Sequence, residues 1–93
     1  MAIIAFDVDG TLETYSGKPR WTMIDLIRIF HALGHSVVVW SGGGKEYAQQ
    51  KVRRLNIEEY VDACYGKQEA PEGAVDICFD DEYVDLATVN IKV

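Results

Sequence analysis

The sequence predicts an α/β domain built on a parallel sheet of about five strands with helices on its faces. Three observations carry that prediction. Short continuous apolar runs recur along the chain, as strands buried on both faces show. Between the first three of them lie segments with apolar residues at helical spacing. Polar residues and glycines stand directly after each run: Asp7-Val8-Asp9-Gly10-Thr11, Ser41-Gly42-Gly43-Gly44, Gly66-Lys67 and Asp80-Asp81. An alternation of strand and helix of this kind implies parallel pairing through helical crossovers.

The first strand is expected over Ile3 to Val8, and a turn-rich segment follows from Thr14 to Arg20, with Gly17 and Pro19. Thr22 is placed to cap a helix, with Asp25 three residues on as a capping-box variant. Met23, Leu26, Ile27, Phe30 and Leu33 recur on one helical face, and Gly34 is positioned to end the helix in the left-handed conformation. Ser36 to Trp40 reads as the second strand. A second helix starts near Lys45, with Ala48, Val52 and Leu55 inward and Asn56 as terminator. Tyr60 to Tyr65 and Ala74 to Phe79 read as the third and fourth strands. Thr88 to Val93 alternates as an edge strand.

Composition narrows the function classes. Ninety-three residues make a single domain over the whole chain, 1–93, which buries roughly 60% of its unfolded surface. A net charge of −6 disfavours nucleic acid as a partner, since phosphate backbone binding needs clustered Lys and Arg. The densest basic stretch, Lys51-Val52-Arg53-Arg54, reads as a solvated helix face. No apolar run is long enough for a membrane span and no basic leader precedes one, so a cytoplasmic setting and no membrane partner are expected. Cys64 and Cys78 lie within strand-like segments and read as buried thiols. His31 and His35 flank a helix end and read as surface or capping residues.

The polar strand ends are where chemistry is expected, because open α/β sheets bind ligands outside the carboxyl ends of their strands. Asp7 and Asp9 have the two-residue spacing that directs side chains the same way on a strand. At a separation of ~6 Å and an effective dielectric of ~20 they would repel by roughly 2–3 kcal/mol. A cation is therefore expected beside them, best a divalent one that prefers oxygen. Asp80-Asp81 adds carboxylates from another strand end and completes an oxygen-rich site suited to Mg²⁺. Ser41 and the N–H groups of Gly42 onward, just before a helix, suit a phosphate group. Lys67 is a candidate to hold an anionic substrate together with a nucleophile. Together these parts fit phosphoryl transfer to a carboxylate.

In this arrangement the chain resembles the haloacid dehalogenase-like (HAD) phosphohydrolase superfamily, whose four motifs match Asp7-Val8-Asp9-Gly10-Thr11, Ser41, Lys67 and Asp80-Asp81 over essentially the whole chain. The resemblance implies a three-layer Rossmann-like fold with helices on both faces, and the third and fourth strands on opposite sides of the first, too far apart for Cys64 and Cys78 to bridge. It implies an Mg²⁺-dependent phosphatase acting through an aspartyl-phosphate. Asp7 would be the nucleophile and Asp9 the general acid and base. The metal would be held by the Asp7 carboxylate, the Asp9 carbonyl and one of Asp80 and Asp81, with Asp81 preferred. Ser41, Gly42 and Lys67 would bind phosphate, Lys67 also pairing with Asp7.

The gaps between motifs hold no inserted cap domain, so the type is capless. An open site of this kind suggests a bulky substrate, or a partner subunit as lid. Residues 13–21 are the only local covering, with Tyr15, Lys18, Arg20 and Trp21 able to reach a substrate. The last strand leaves an edge that favours homo-oligomers. The substrate is expected to be phosphorylated, its class open. Two other readings compete: a non-catalytic binding or regulatory domain on the same scaffold, and a receiver-type signalling domain. The latter requires an Asp at the end of the third strand, where Tyr65-Gly66-Lys67 stands.

Overall fold

The computed structural model describes residues 1–70 and 73–93. Five strands form one sheet: β1 (Ile3–Asp7), β2 (Ser36–Ser41), β3 (Ala63–Gly66), β4 (Ile77–Asp80) and β5 (Val89–Lys92). Every pairing is parallel and the order is β3-β2-β1-β4-β5. Two helices serve as crossovers, α1 (Trp21–Ala32) between β1 and β2 and α2 (Lys45–Arg54) between β2 and β3. The expected α/β class and parallel sheet are therefore observed. The chain steps from β1 to β2 to β3 in one direction, then returns to place β4 on the other side of β1. That reversal puts the topological switch point between β1 and β4.

The layering differs from the expected helices on both faces. Ile4 and Phe6 of β1, Val37 and Val39 of β2, and Phe79 of β4 share one core with Met23, Ile24 and Ile27 of α1 and Ala48 and Val52 of α2. Both helices thus cover the same face. The reason is handedness: right-handed crossovers that step the same way put their helices on the same side. The opposite face presents Ala5, Val38, Trp40 and Cys78. It is packed by Val75 and by the partly buried Ala70, Val84 and Ala87, which lie in connections that carry no helix among the described residues.

Local boundaries moved where tertiary hydrogen bonds overrode sequence signals. Helix α1 starts at Trp21 with Arg20 as its N-cap, and no side chain caps it. The Arg20 N–H donates to the Leu12 carbonyl (2.8 Å), and the Arg20 carbonyl accepts from Met23 and Ile24. The loop thereby fixes the first turn before Thr22 is reached, and Asp25 pairs with Arg28 on the surface instead. Ile24 is buried on the inner face, whereas Leu33 is 67% exposed beyond the helix end. Gly34 (φ 86°) and Asn56 (φ 56°) adopt the expected left-handed conformation. Strand β3 begins three residues later than expected, because Glu58–Tyr60 forms a 3-10 turn and the Asp62 N–H opens the ladder at Val37. Cys64 and Cys78 are free thiols on β3 and β4, with β2 and β1 between them. His35 accepts the Ala2 N–H through Nδ1 (3.0 Å), and His31 stacks edge-on against Tyr60.

Candidate functional site

The site grows from the end of β1. The strand stops at Asp7, and the Val8 carbonyl then accepts the N–H groups of Thr11, Leu12 and Glu13 (3.0–3.3 Å), coiling the chain tightly. Gly10 makes the coil possible. Its φ is +82°, and a Cβ there would overlap the Asp81 carboxylate, so only glycine lets this turn pass so close to the end of β4. The Arg20 guanidinium donates to the Gly10 carbonyl (2.6 Å) and locks the turn. One nitrogen of Arg20 is thus committed to the backbone of this turn.

Asp7 is buried and held by two donors: Lys67 Nζ lies 3.0 Å from Oδ1, and the Thr11 hydroxyl donates to Oδ2 (3.2 Å). Lys67 also meets Oδ2 of the buried Asp80 at 2.7 Å, so one ammonium bridges the ends of β1 and β4. The lysine reaches this place because its own N–H donates to the Ser41 carbonyl (3.0 Å), which pins the turn after β3 against the end of β2. The second Asp80 oxygen accepts the Glu82 N–H (3.0 Å). Asp81 accepts a hydrogen bond from the hydroxyl of Tyr15, a residue otherwise 74% exposed. One carboxylate oxygen each from Asp7, Asp80 and Asp81 lies within 4.8 Å of the others.

Two carboxylates therefore share one ammonium at the switch point, with the Asp81 carboxylate beside them. Burial is the main cause that lifts the Asp7 pKa to about 6, against the pull of Lys67 and with a further push from Asp80. Burial opposes the charge of Lys67, but its bonds to Asp80 and Asp7 outweigh this and raise its pKa. Burial likewise pushes against ionised Asp81, yet the Tyr15 and Asp7 contacts leave it below its ordinary value. The Tyr15 phenol is pushed up to about 12, first by its bond to Asp81.

Asp9 stands apart from this cluster. Its carboxylate accepts a hydrogen bond from the Tyr47 hydroxyl on α2 (2.8 Å), a bond that raises the phenol's pKa. The shared direction that the two-residue spacing suggests does not extend past Asp7, because β1 has ended there. Ser41 is buried at the end of β2, its Oγ accepting the Gly43 N–H (3.0 Å), so the hydroxyl proton is left to donate elsewhere. Gly42 is exposed beside it. Lys18 and Trp21 are both exposed, Trp21 at 58%.

Two features escaped the sequence reading. Tyr47 carries no motif signature, and only its place one turn into a helix that follows a polar strand end hinted at the site. The basic stretch at Lys51 is not simply a solvated face: Lys51 Nζ lies 2.6 Å from Oε1 of Glu13, whose side chain is buried. An i, i+4 aromatic–cation spacing, Tyr47 to Lys51, was the available clue. Compared with protein-family models, with curated proteins and with solved structures, the chain matches none of them.

Proposed function

We propose that the protein is a phosphomonoester hydrolase of the HAD type, dependent on Mg²⁺ and working through an aspartyl-phosphate. The observation that carries this reading is the Lys67 ammonium between Asp7 (3.0 Å) and Asp80 (2.7 Å) at the switch point, with Asp81 alongside and Asp9 held separately. Such an arrangement separates two carboxylate roles by environment. Asp7 is fixed by donors on both oxygens and cannot rotate away, which suits a nucleophile. Asp9 hydrogen-bonds a neutral phenol instead of an ammonium, which suits a group that carries a proton.

In the proposed reaction an Asp7 oxygen attacks phosphorus while the ester P–O bond breaks, and Asp9 gives its proton to the leaving oxygen. Water then attacks the phosphorus of the acyl phosphate, Asp9 takes a proton from it, and Asp7 is released. Lys67, the Ser41 hydroxyl and the N–H of Gly42 would hold phosphate oxygens. The donor set fits a hard divalent ion: octahedral Mg²⁺ wants ligand oxygens roughly 2.9–4.2 Å apart, so a cluster within 4.8 Å needs only slight contraction. Asp7, Asp81 and the Asp9 carbonyl would hold it. Asp80 is the alternative ligand from the end of β4, its oxygens held by Lys67 Nζ and the Glu82 N–H. The ion would supply charge neutralisation on the phosphate oxygens.

The test is hydrolysis of 4-nitrophenyl phosphate with Mg²⁺, repeated with chelator and with Asp7→Asn. Turnover that needs the metal and disappears in the variant supports the reading, as does a mass increase of one phosphoryl group on the acid-quenched chain. Retention of wild-type activity by Asp7→Asn would sink the nucleophile assignment. Inertness across a broad phosphate-ester panel would turn the reading to a non-catalytic domain.

A further inference from the structure

We infer that Tyr47 is the positioning residue for Asp9, a role that rests on the proton-transfer function proposed above and extends it to a side chain outside the four motifs. Asp9 follows the end of β1, and its backbone tie is an isolated bridge to Glu13. A general acid must keep its proton within hydrogen-bond reach of the leaving oxygen, and a side chain on so short a coil needs an external restraint. The Tyr47 hydroxyl provides one by donating to Oδ1 (2.8 Å), which holds the carboxylate by one oxygen and leaves the other outside that bond.

Tyr47 is itself held by two contacts. Its ring lies against the backbone of Gly43, where a Cβ would come within 3.2 Å of ring atoms Cγ and Cδ2. The Lys51 ammonium sits 5.3 Å from the ring centroid. Lys51 is fixed by the buried Glu13 (2.6 Å), and the Glu13 carbonyl accepts the Gly10 N–H (2.7 Å). The contacts form a closed circuit: Asp9 to Tyr47, Tyr47 to Lys51, Lys51 to Glu13, and Glu13 back to the turn that carries Asp9. Glycine at 43 connects this circuit to the loop of Ser41, so the proposed acid and the proposed phosphate-binding loop are kept in register by one phenol ring.

Tyr47→Phe separates the roles, because it keeps the ring and removes only the hydroxyl. Proton donation matters most when the leaving group is a strong base. With Mg²⁺ present, the variant is expected to lose about 10–100-fold in kcat/KM on an alkyl phosphate such as ethyl phosphate, and less than about 3-fold on 4-nitrophenyl phosphate, because kcat/KM reports phosphoryl transfer to Asp7 and not the later hydrolysis that both substrates share. Equal loss on both substrates, or no loss on either, overturns the positioning role while leaving the phosphatase reading intact. A crystal structure of Tyr47→Phe addresses the same point without turnover: an Asp9 carboxylate that swings from its native place supports the inference, and an unmoved one overturns it. Wild-type inertness on both esters would defeat the phosphatase reading alone, and the crystal structure would still decide the restraint on Asp9.

Discussion

Replacing Asp7 by asparagine should stabilise the metal-free protein at neutral pH while abolishing the proposed turnover. Burial raises the Asp7 pKa from 3.8 to about 6. Stability from the protonated form is fully present below the unfolded value and is lost as pH rises through the folded one. At pH 7 the carboxylate is ionised in both states. A shift of about two units then costs roughly 3 kcal/mol relative to a group with no shift. That cost already includes the favourable pull of Lys67. Asparagine carries no charge to desolvate, its one carbonyl oxygen still accepts from Lys67, and its amide N–H can donate to the Thr11 hydroxyl, so most of the cost should vanish. A gain of about 1–3 kcal/mol corresponds to roughly 5–15 °C in Tm for a domain of this size. The assay is thermal unfolding by circular dichroism in chelator, at pH 7 and at pH 4.5, for both proteins. The two should differ at pH 7 and converge at pH 4.5, where wild-type Asp7 is protonated in the fold. Added Mg²⁺ should raise the wild-type Tm more than that of the variant. A variant less stable than wild type at pH 7, or a difference independent of pH, would refute the link between burial and the charge of Asp7.

Lys67→Met leaves Asp7 and Asp80 buried without their shared cation. Urea denaturation should show a loss of about 3–5 kcal/mol at pH 7 that shrinks towards pH 5 as Asp7 takes up a proton. Gly10→Ala places a Cβ on a left-handed residue and into the Asp81 carboxylate. It should cost at least about 1–2 kcal/mol in guanidinium unfolding, and it should abolish the Tm increase proposed for the wild type with Mg²⁺. Lys51→Met strands the buried Glu13 carboxylate and should destabilise by about 3 kcal/mol. Adding Glu13→Gln to it should recover part of that loss, as a double-mutant cycle would read.

Much of this arrangement could be read from the sequence because burial forces it to be local. A strand buried on both faces must be apolar throughout, and a polar residue at its end marks where the sheet meets solvent. That logic located Asp7, Ser41, Lys67 and Asp80 at strand ends, and the left-handed turns at Gly34 and Asn56 followed from backbone sterics alone. What failed depended on distant partners. Thr22 looks like a cap only until the Leu12 carbonyl fixes Arg20 two residues earlier. Lys51 looks solvated until Glu13, thirty-eight positions away, folds beneath it. Apolar periodicity does not report which way crossovers step, and two steps in one direction leave the opposite face to loops among the described residues. Tyr47 was invisible for a related reason: its hydroxyl matters only because β1 ends before Asp9.

The uneven covering of the sheet divides its resistance to opening. Strands β1, β2 and β3 lie under two helices, whereas β4 is secured chiefly by Phe79, stacked on Phe6 (4.9 Å between centroids) and tilted against Phe30 of α1. Beyond it, Val89 and Ile91 of β5 remain 49% and 38% exposed. Native-state amide exchange should therefore find the β4–β5 hairpinless pair in a lower-energy opening unit than β1 and β2. The acidic cluster straddles that boundary, with Asp7 on the firm side and Asp80 and Asp81 on the loose one. Any cation that draws the three together fastens the weaker unit to the stronger, and protection of the β4 and β5 amides becomes a readout of occupancy at the site.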